Sequence, residues 1–238
     1  MIENRIDVIR MSASRPDLLV ISTESLQRHL KFDGQLRFLL HEDYLNNDLS
    51  DKCVSYAEST GLFDVIVKDN PKIGQGRSLT KMLKMVNTKY IIHWEDDYEL
   101  LCDLDLNTVV RLLDNNEDIN QISFQKRQIM SEKPGFKKIE ITRDYLKLTT
   151  NPHWAFIPAI WRVSFIQPKW VEFENDIHWR INDILKGKRS VVEADANWVI
   201  KNTGTYYFGG IDEGHYTNHI GSSRSLREGA EQKRWAKS

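Results

Sequence analysis

Cysteine is scarce in this 238-residue chain. Only Cys53 and Cys102 occur, which excludes a disulfide framework and a cysteine-rich zinc site and leaves both thiols as expected packing residues. Long apolar runs are missing as well. No stretch approaches the length of a membrane span, and the polar start Met1-Ile2-Glu3-Asn4-Arg5 lacks a signal-peptide core, so the expectation is a cytoplasmic chain. Neither sign of charge dominates. With 33 Lys and Arg against 34 Asp and Glu, the formal net charge of -1 offers no general attraction to polyanions, and no long basic run supports nucleic-acid binding from charge alone. Solenoid repeats and low-complexity tracts are also absent. The length fits one α/β domain with an extension.

What is present is an alternating series. Ile6-Asp7-Val8-Ile9-Arg10-Met11 predicts a strand, broken by Ser12-Ala13-Ser14-Arg15-Pro16. Leu18, Leu19, Ser22, Leu26 and Leu30 then share one helical face, with Pro16 acceptable in the first turn. A second strand, Leu36 to Leu40, ends in His41-Glu42-Asp43; a helix follows around Asp51 to Thr60; a third strand, Phe63 to Val67, closes in Lys68-Asp69-Asn70-Pro71. Gly74-Gln75-Gly76-Arg77-Ser78 leads into a helix with Leu79, Met82, Leu83 and Val86 on one face. This βαβα order predicts a mostly parallel sheet flanked by helices, with ligands bound beyond the carboxyl ends of its strands. Ser12, Ser14, Arg15, Glu42, Asp43, Asp69 and Arg77 all fall at such ends.

The fourth strand is the most informative. Tyr90-Ile91-Ile92-His93-Trp94 runs straight into Glu95-Asp96-Asp97. Three adjacent acids repel one another, a cost that a bound cation or cationic ligand removes. In an extended segment Glu95 and Asp97 would project to one face and Asp96 to the other. Two converging carboxylates suit Mg2+ or Mn2+, which take few protein oxygens and fill the rest of their shell with water and phosphate. An acidic turn capping a strand is the plainer alternative, and the convergence of four polar strand ends favours the site.

The Ser-Ala-Ser-Arg-Pro loop after a strand, the Gly-Gln-Gly-Arg-Ser helix start and the strand ending in Glu-Asp-Asp together resemble the nucleotide-sugar domain of GT-A glycosyltransferases, with family-2-like enzymes the closest pattern. The similarity covers about residues 5 to 100. It implies a single GT-A catalytic domain over 1–238, with 1–100 as the nucleotide-sugar half and 101–238 as the acceptor half and C-terminal lid. Glu95 and Asp97 stand at the outer positions of the family's Asp-X-Asp motif; Glu in place of the first Asp is a departure. The resemblance implies Asp97 as the metal ligand and Glu95 as a contact to ribose or, through water, to the metal. Asp96 and the strand-end residues above become donor contacts.

Further along, Leu106 to Leu113 predicts a helix, Gln121 to Gln125 a strand, and Ile139-Glu140-Ile141 with Tyr145 to Leu148 an antiparallel pair or edge. The aromatic stretch Asn151 to Arg162 offers Trp161 as core and His153 with Trp154 as sugar contacts. Glu174 and Asp176 precede a helical pattern at Ile177, Ile181, Ile184 and Leu185, where capping alone would account for either. By resemblance one of them is the catalytic base, Glu174 first and Asp176 second. The glycine-rich segment Gly209 to Ser225 is expected as a lid that orders over the diphosphate through Arg224 or backbone amides. Some GT-A enzymes use a late histidine there, and the resemblance implies His219, or else His215, as completing the metal shell.

The implied activity is metal-dependent transfer of a sugar from a nucleoside diphosphate sugar to an acceptor hydroxyl, with inversion, using Mn2+ or Mg2+. A saccharide is the default acceptor, with a protein or a hydroxymethylated DNA base as alternatives. A nucleotidyltransferase, or a sugar- or nucleotide-binding protein without turnover, would share many of these features.

Overall fold

The computed structural model describes residues 4–126, 139–148, 157–168, 205–210, 213 and 215–221. In chain order the elements are β1 (Arg5–Ser12), α1 (Pro16–His29), β2 (Leu30–Lys31), β3 (Gln35–Asp43), α2 (Asn47–Thr60), β4 (Phe63–Asp69), α3 (Gln75–Met85) and β5 (Tyr90–Glu95). There follow β6 (Tyr98–Leu100), β7 (Leu104–Asp105), α4 (Leu106–Asp114), β8 (Gln121–Ser123), β9 (Ile139–Ile141), β10 (Tyr145–Leu148), β11 (Ala159–Arg162), β12 (Thr205–Phe208) and β13 (Thr217–His219). A nine-stranded sheet runs in the order β4-β3-β1-β5-β11-β8-β12-β10-β9. From β4 to β5 every pairing is parallel, which is the βαβα series expected from the sequence.

Alternate residues of β1 feed opposite faces of the sheet. Ile6 and Val8 join Leu26 of α1 and Val109 and Leu113 of α4 in one cluster, whereas Ile9 and Met11 join Leu79, Met82 and Leu83 of α3 in another. Burial on both faces is why β5 reads as a nearly continuous apolar run up to Glu95, while β1 carries Asp7 and Arg10 buried among its apolar residues. Local signals set the helix ends. The side chain of Asn46 accepts from Leu49 N at the start of α2, Asp105 accepts from Asn107 N at the start of α4, and α2 stops at Gly61, whose φ of 62° suits glycine.

Beyond β5 the sheet takes a form that the sequence conceals. The tail of the aromatic stretch becomes β11, antiparallel to both β5 and β8 and inserted between them. Trp161 is core as expected, stacked on His93 with ring centroids 4.8 Å apart. The expected β9–β10 antiparallel pair is present. Cys53 is buried, but Cys102 is exposed and is not the packing thiol anticipated. No helix among the described residues is long and apolar enough to cross a membrane.

One polar contact ties this half of the sheet together. Asp7 is fully buried in the central strand, and Arg37, its register partner on β3, donates to both carboxylate oxygens at 2.8 and 2.7 Å. The same guanidinium also reaches the Met85 carbonyl at the end of α3. Arg5 stands farther from Asp7, at 3.6 Å. Replacing Arg37 with Met leaves a buried carboxylate with only that weaker partner, so urea unfolding is expected to show a loss of about 3 kcal/mol. Asp7→Asn combined with Arg37→Met should recover part of it. A loss below about 1 kcal/mol would mean that Arg5 alone suffices.

Candidate functional site

The four parallel strands end side by side. Ser12 of β1 is in register with Glu42 of β3, Met11 with Glu95 of β5, and Asp43 with Asp69 of β4. The polar residues singled out at strand ends therefore lie along one edge, and the turn after β5 delivers Asp96 and Asp97 to the same place.

The strand alternation expected for the three acids stops at Glu95. β5 ends there, and Asp96 and Asp97 sit in a turn, so both carboxylates reach the same cation. Arg15 Nε donates to Asp96 Oδ2 at 3.1 Å and its NH2 donates to Asp96 Oδ1, while NH1 donates to Asp97 Oδ2 at 2.7 Å. Asp96 is fully buried and also accepts from Ser12 Oγ (3.1 Å) and the Ala13 amide (3.4 Å). Burial alone would lower the Arg15 pKa, and the two carboxylates more than reverse it. Burial pushes Asp96 up against the pull of Arg15. In Asp97 the same push is outweighed by His219 and Arg15, which hold this carboxyl below its usual value. A second cation lies behind. Arg10 is almost wholly buried, drawn down to about 10 by burial against the opposing attraction of Asp96, and donates to Ser22 Oγ at 2.9 Å.

Glu95 behaves differently. Its half-buried carboxyl accepts from Gln75 Nε2 at 2.6 Å, at the start of α3, and burial together with Asp97 raises its pKa well above the ordinary range. A raised pKa favours the uncharged form of this carboxyl, which eases the repulsion from its acidic neighbours.

The loop that presents Arg15 is itself tightly held. Ser14 has a φ of 56°, a left-handed conformation uncommon outside glycine, and its surroundings over-determine it. Its amide donates to Glu42 Oε1 at 2.7 Å, and its hydroxyl accepts from the Leu45 and Asn46 amides at 3.1 and 2.8 Å. Glu42 also accepts from Ser50 Oγ at 2.6 Å. Burial raises the Glu42 pKa. Asp43 takes the Ile73 and Gly74 amides at 2.7 and 2.9 Å, fixing the approach to α3. Asp69 is engaged by His41 Nε2 at 2.7 Å and by Lys81. Glu42, Asp43 and Asp69, expected as ligand contacts, thus hold the loops around the edge. Arg77 is exposed on α3.

The segment expected as a lid is, over Thr217–His219, a strand. β13 pairs antiparallel with β6, bringing His219 opposite Tyr98, and the Ile220 amide donates to the Asp97 carbonyl. His219 stacks on Tyr98 with centroids 4.6 Å apart and sets Nε2 3.2 Å from Asp97 Oδ2. His215 is exposed ahead of the strand, so of the two candidate histidines His219 is the one brought to the acids. Lys126, itself buried, donates to the carbonyls of Gly210 (2.8 Å) and Glu213 (3.2 Å) and lies over the Tyr216 ring, anchoring the approach to β13. Gly221 packs directly on Asp97: a Cβ there would come within 2.7 Å of Oδ2.

Among the described residues no group of three or more His, Cys, Asp and Glu side chains is arranged to hold a metal ion. A two-ligand site does fit. Asp97 Oδ1 is buried with no hydrogen-bond partner among the described residues, and an imidazole stands beside the other oxygen. Such a pair leaves most of a Mg2+ or Mn2+ shell to water and phosphate. His153, Trp154, Glu174, Asp176 and Arg224 lie outside the described residues. Sequence reasoning assigned no role to Gln75, Tyr98, Lys126 or Gly221. Gln75 lay within the quoted glycine motif, and Gly221 two residues after His219, but their partners come from distant elements.

No protein-family model matches the sequence, and no curated protein matches it. Solved structures do. Residues 1–349 of Staphylococcus aureus TarS match 89% of this chain and 59% of their own at 10% identity and a TM-score of 0.52. GalNAc-T7, crystallised with UDP, GalNAc and Mn2+, matches over 69% of this chain and 37% of its own at 10% identity and a TM-score of 0.53. The chain spans less than two thirds of the length of either. Both are of the GT-A type, and at such identities the likeness establishes the fold: this chain has the GT-A fold.

Two expectations follow from the packing. Gly221→Ala forces Asp97 aside and should cost about 1 to 3 kcal/mol in thermal or urea unfolding, as overpacking does; an unchanged stability would contradict the close approach. Glu95→Gln keeps the Gln75 contact and removes a titrating group. Because the folded pKa of Glu95 is raised, wild type carries no penalty while both states are protonated. It loses stability as pH climbs from the ordinary glutamate value towards the raised one. In chelator-treated protein the variant should therefore gain on wild type across that window, and parallel stability curves would refute the assignment.

Proposed function

We propose that the chain is a glycosyltransferase that takes a sugar from a nucleoside diphosphate sugar, with a divalent cation at Asp97 and His219, and passes it to an acceptor hydroxyl with inversion. The observation that carries this reading is the pairing of a buried, half-satisfied Asp97 carboxylate with His219 at the carboxyl edge of a GT-A sheet. The UDP, GalNAc and Mn2+ bound to GalNAc-T7, a protein of the same fold, are in keeping with it. A bound Mn2+ or Mg2+ supplies charge neutralisation for a departing diphosphate.

The protein's own groups would act around that centre. Ser12, Ser14, Arg15, Glu42, Asp43, Asp69, Arg77, Glu95 and Asp96 form or hold the donor edge, with Arg224 as a further donor contact, and His153 with Trp154 receive sugar. Glu174, or Asp176 in its place, takes the proton from the acceptor hydroxyl. That oxygen attacks the anomeric carbon from the face opposite the diphosphate, and the bond to the diphosphate oxygen breaks with its electron pair. Residues 1–100 would serve the donor and 101–238 the acceptor. A saccharide is the default acceptor; a protein or a hydroxymethylated DNA base offers the same hydroxyl chemistry.

A thermal-shift screen of nucleotide sugars with Mn2+ or Mg2+ identifies the donor, since a ligand that binds only the native state raises its stability. Products then decide the reaction: free nucleoside diphosphate supports sugar transfer, pyrophosphate a nucleotidyltransferase, and binding without turnover a non-catalytic protein. Asp97→Asn is expected to abolish the metal-dependent part of donor binding in calorimetry. Glu174→Gln should keep donor affinity and lose about a hundredfold to ten-thousandfold in rate. If Asp176→Asn alone has that effect, the base is Asp176. Retention of anomeric configuration, read by NMR, would remove the need for either base.

A further inference from the structure

We propose that Arg15 is an internal counter-ion that competes with a divalent cation for Asp97, and that cation binding frees its NH1 to meet the anionic group of the incoming ligand. The inference rests on Asp97 as cation ligand. Its basis is the unequal way one guanidinium is shared. The edge formed by Nε and NH2 grips both oxygens of Asp96, whereas Asp97 receives a single bond, from NH1 at 2.7 Å. Bidentate Arg–carboxylate contacts are the stronger and more directional kind. Asp96 has two further donors, Ser12 Oγ and the Ala13 amide, and no exposed surface. Asp97 has His219 beside the oxygen that Arg15 binds, and its other oxygen is buried with no partner among the described residues. Of the two acids, Asp97 is the one equipped to exchange partners.

Exchange is also what electrostatics demands. A divalent ion at Asp97 would stand within a few ångströms of NH1, and two positive charges at such range repel strongly in a poorly solvated site. Arg15 cannot withdraw far. It is 7% exposed, precedes Pro16 at the start of α1, and keeps its Asp96 edge when the single bond to Asp97 opens. The released N–H therefore remains at the site without its acceptor, on a guanidinium still held by Asp96. A diphosphate is the class of anion that both the cation and this N–H can bind. Cation and diphosphate should then assist each other, by the same factor in either order.

Calorimetry on the full chain tests this with Mn2+ alone, with UDP, GDP, ADP and CDP alone, and with Mn2+ plus whichever diphosphate binds. In wild type each ligand should tighten the other by a factor in the range of about 5 to 150. In Arg15→Met, Mn2+ alone should bind on the order of tenfold more tightly than to wild type, with the mutual enhancement largely lost. If that variant does not fold, Arg15→Met with Asp96→Asn removes the pair together and carries the same expectation. Mn2+ binding to the folded variant that is no tighter than wild type overturns the competition. Failure of every diphosphate to bind overturns the anion half. Failure of the underlying reading looks different: wild type would then bind no Mn2+, or bind it unchanged in Asp97→Asn.

Discussion

Arg15 between Asp96 and Asp97 is the contact on which the functional edge depends. Three consecutive acids enter a region where Asp96 has no exposed surface and Asp97 little. Ionised groups removed from water are costly unless paired and hydrogen-bonded. The protein meets this cost in three ways: a guanidinium shared by two carboxylates, a raised pKa at Glu95, and a second buried arginine, Arg10, behind the cluster. The result is an acid cluster with cationic partners built in, while Asp97 Oδ1 has no partner among the described residues.

That balance requires Arg15 to be aimed, and the aim is supplied from neighbouring strand ends. Ser14 takes a left-handed backbone that reverses the chain between Ser12 and α1, and Glu42 with Ser50 holds it there. In return the Ala13 amide and Ser12 hydroxyl bind Asp96. Loop and acid turn thus fix each other, so neither would keep its geometry alone. A network with this reciprocity rigidifies when every member is satisfied and fails together when one is removed.

The parallel half of the fold was legible because its inner strands β1, β3 and β5 are largely buried and its helices carry apolar stripes. These patterns are local, and they placed β1, β3, β4, β5 and their helices within a few residues. The convergence of Ser12, Glu42, Asp69 and Glu95 followed from topology alone. Other features depend on partners far along the chain. Strand periodicity suggested that Asp96 would face away from Asp97, but the strand ends at Glu95 and a turn obeys no alternation. β11 was hidden within an aromatic stretch, since a short apolar run does not say which neighbours it inserts between. Within the glycine-rich stretch 209–225, the close approach of Gly221 to Asp97 was not legible, because its partner lies more than 120 positions away.

The same distinction shapes how the site is assembled. Ser12 to Asp97 supply the acids, their counter-ion and the loops that hold them, all within the parallel half of the sheet. His219 comes from 122 positions beyond Asp97, and reaches it only once β13 has paired with β6 and Gly221 has packed on the carboxylate. The Arg15 contacts to Asp96 and Asp97 also span more than 80 positions, and loop-closure entropy grows so slowly with length that the two separations differ little in cost. What separates them is the route: Arg15, only three residues from the end of β1, is brought to the acids by the direct parallel pairing of β1 with β5, whereas His219 depends on a separate two-stranded pairing of β13 with β6.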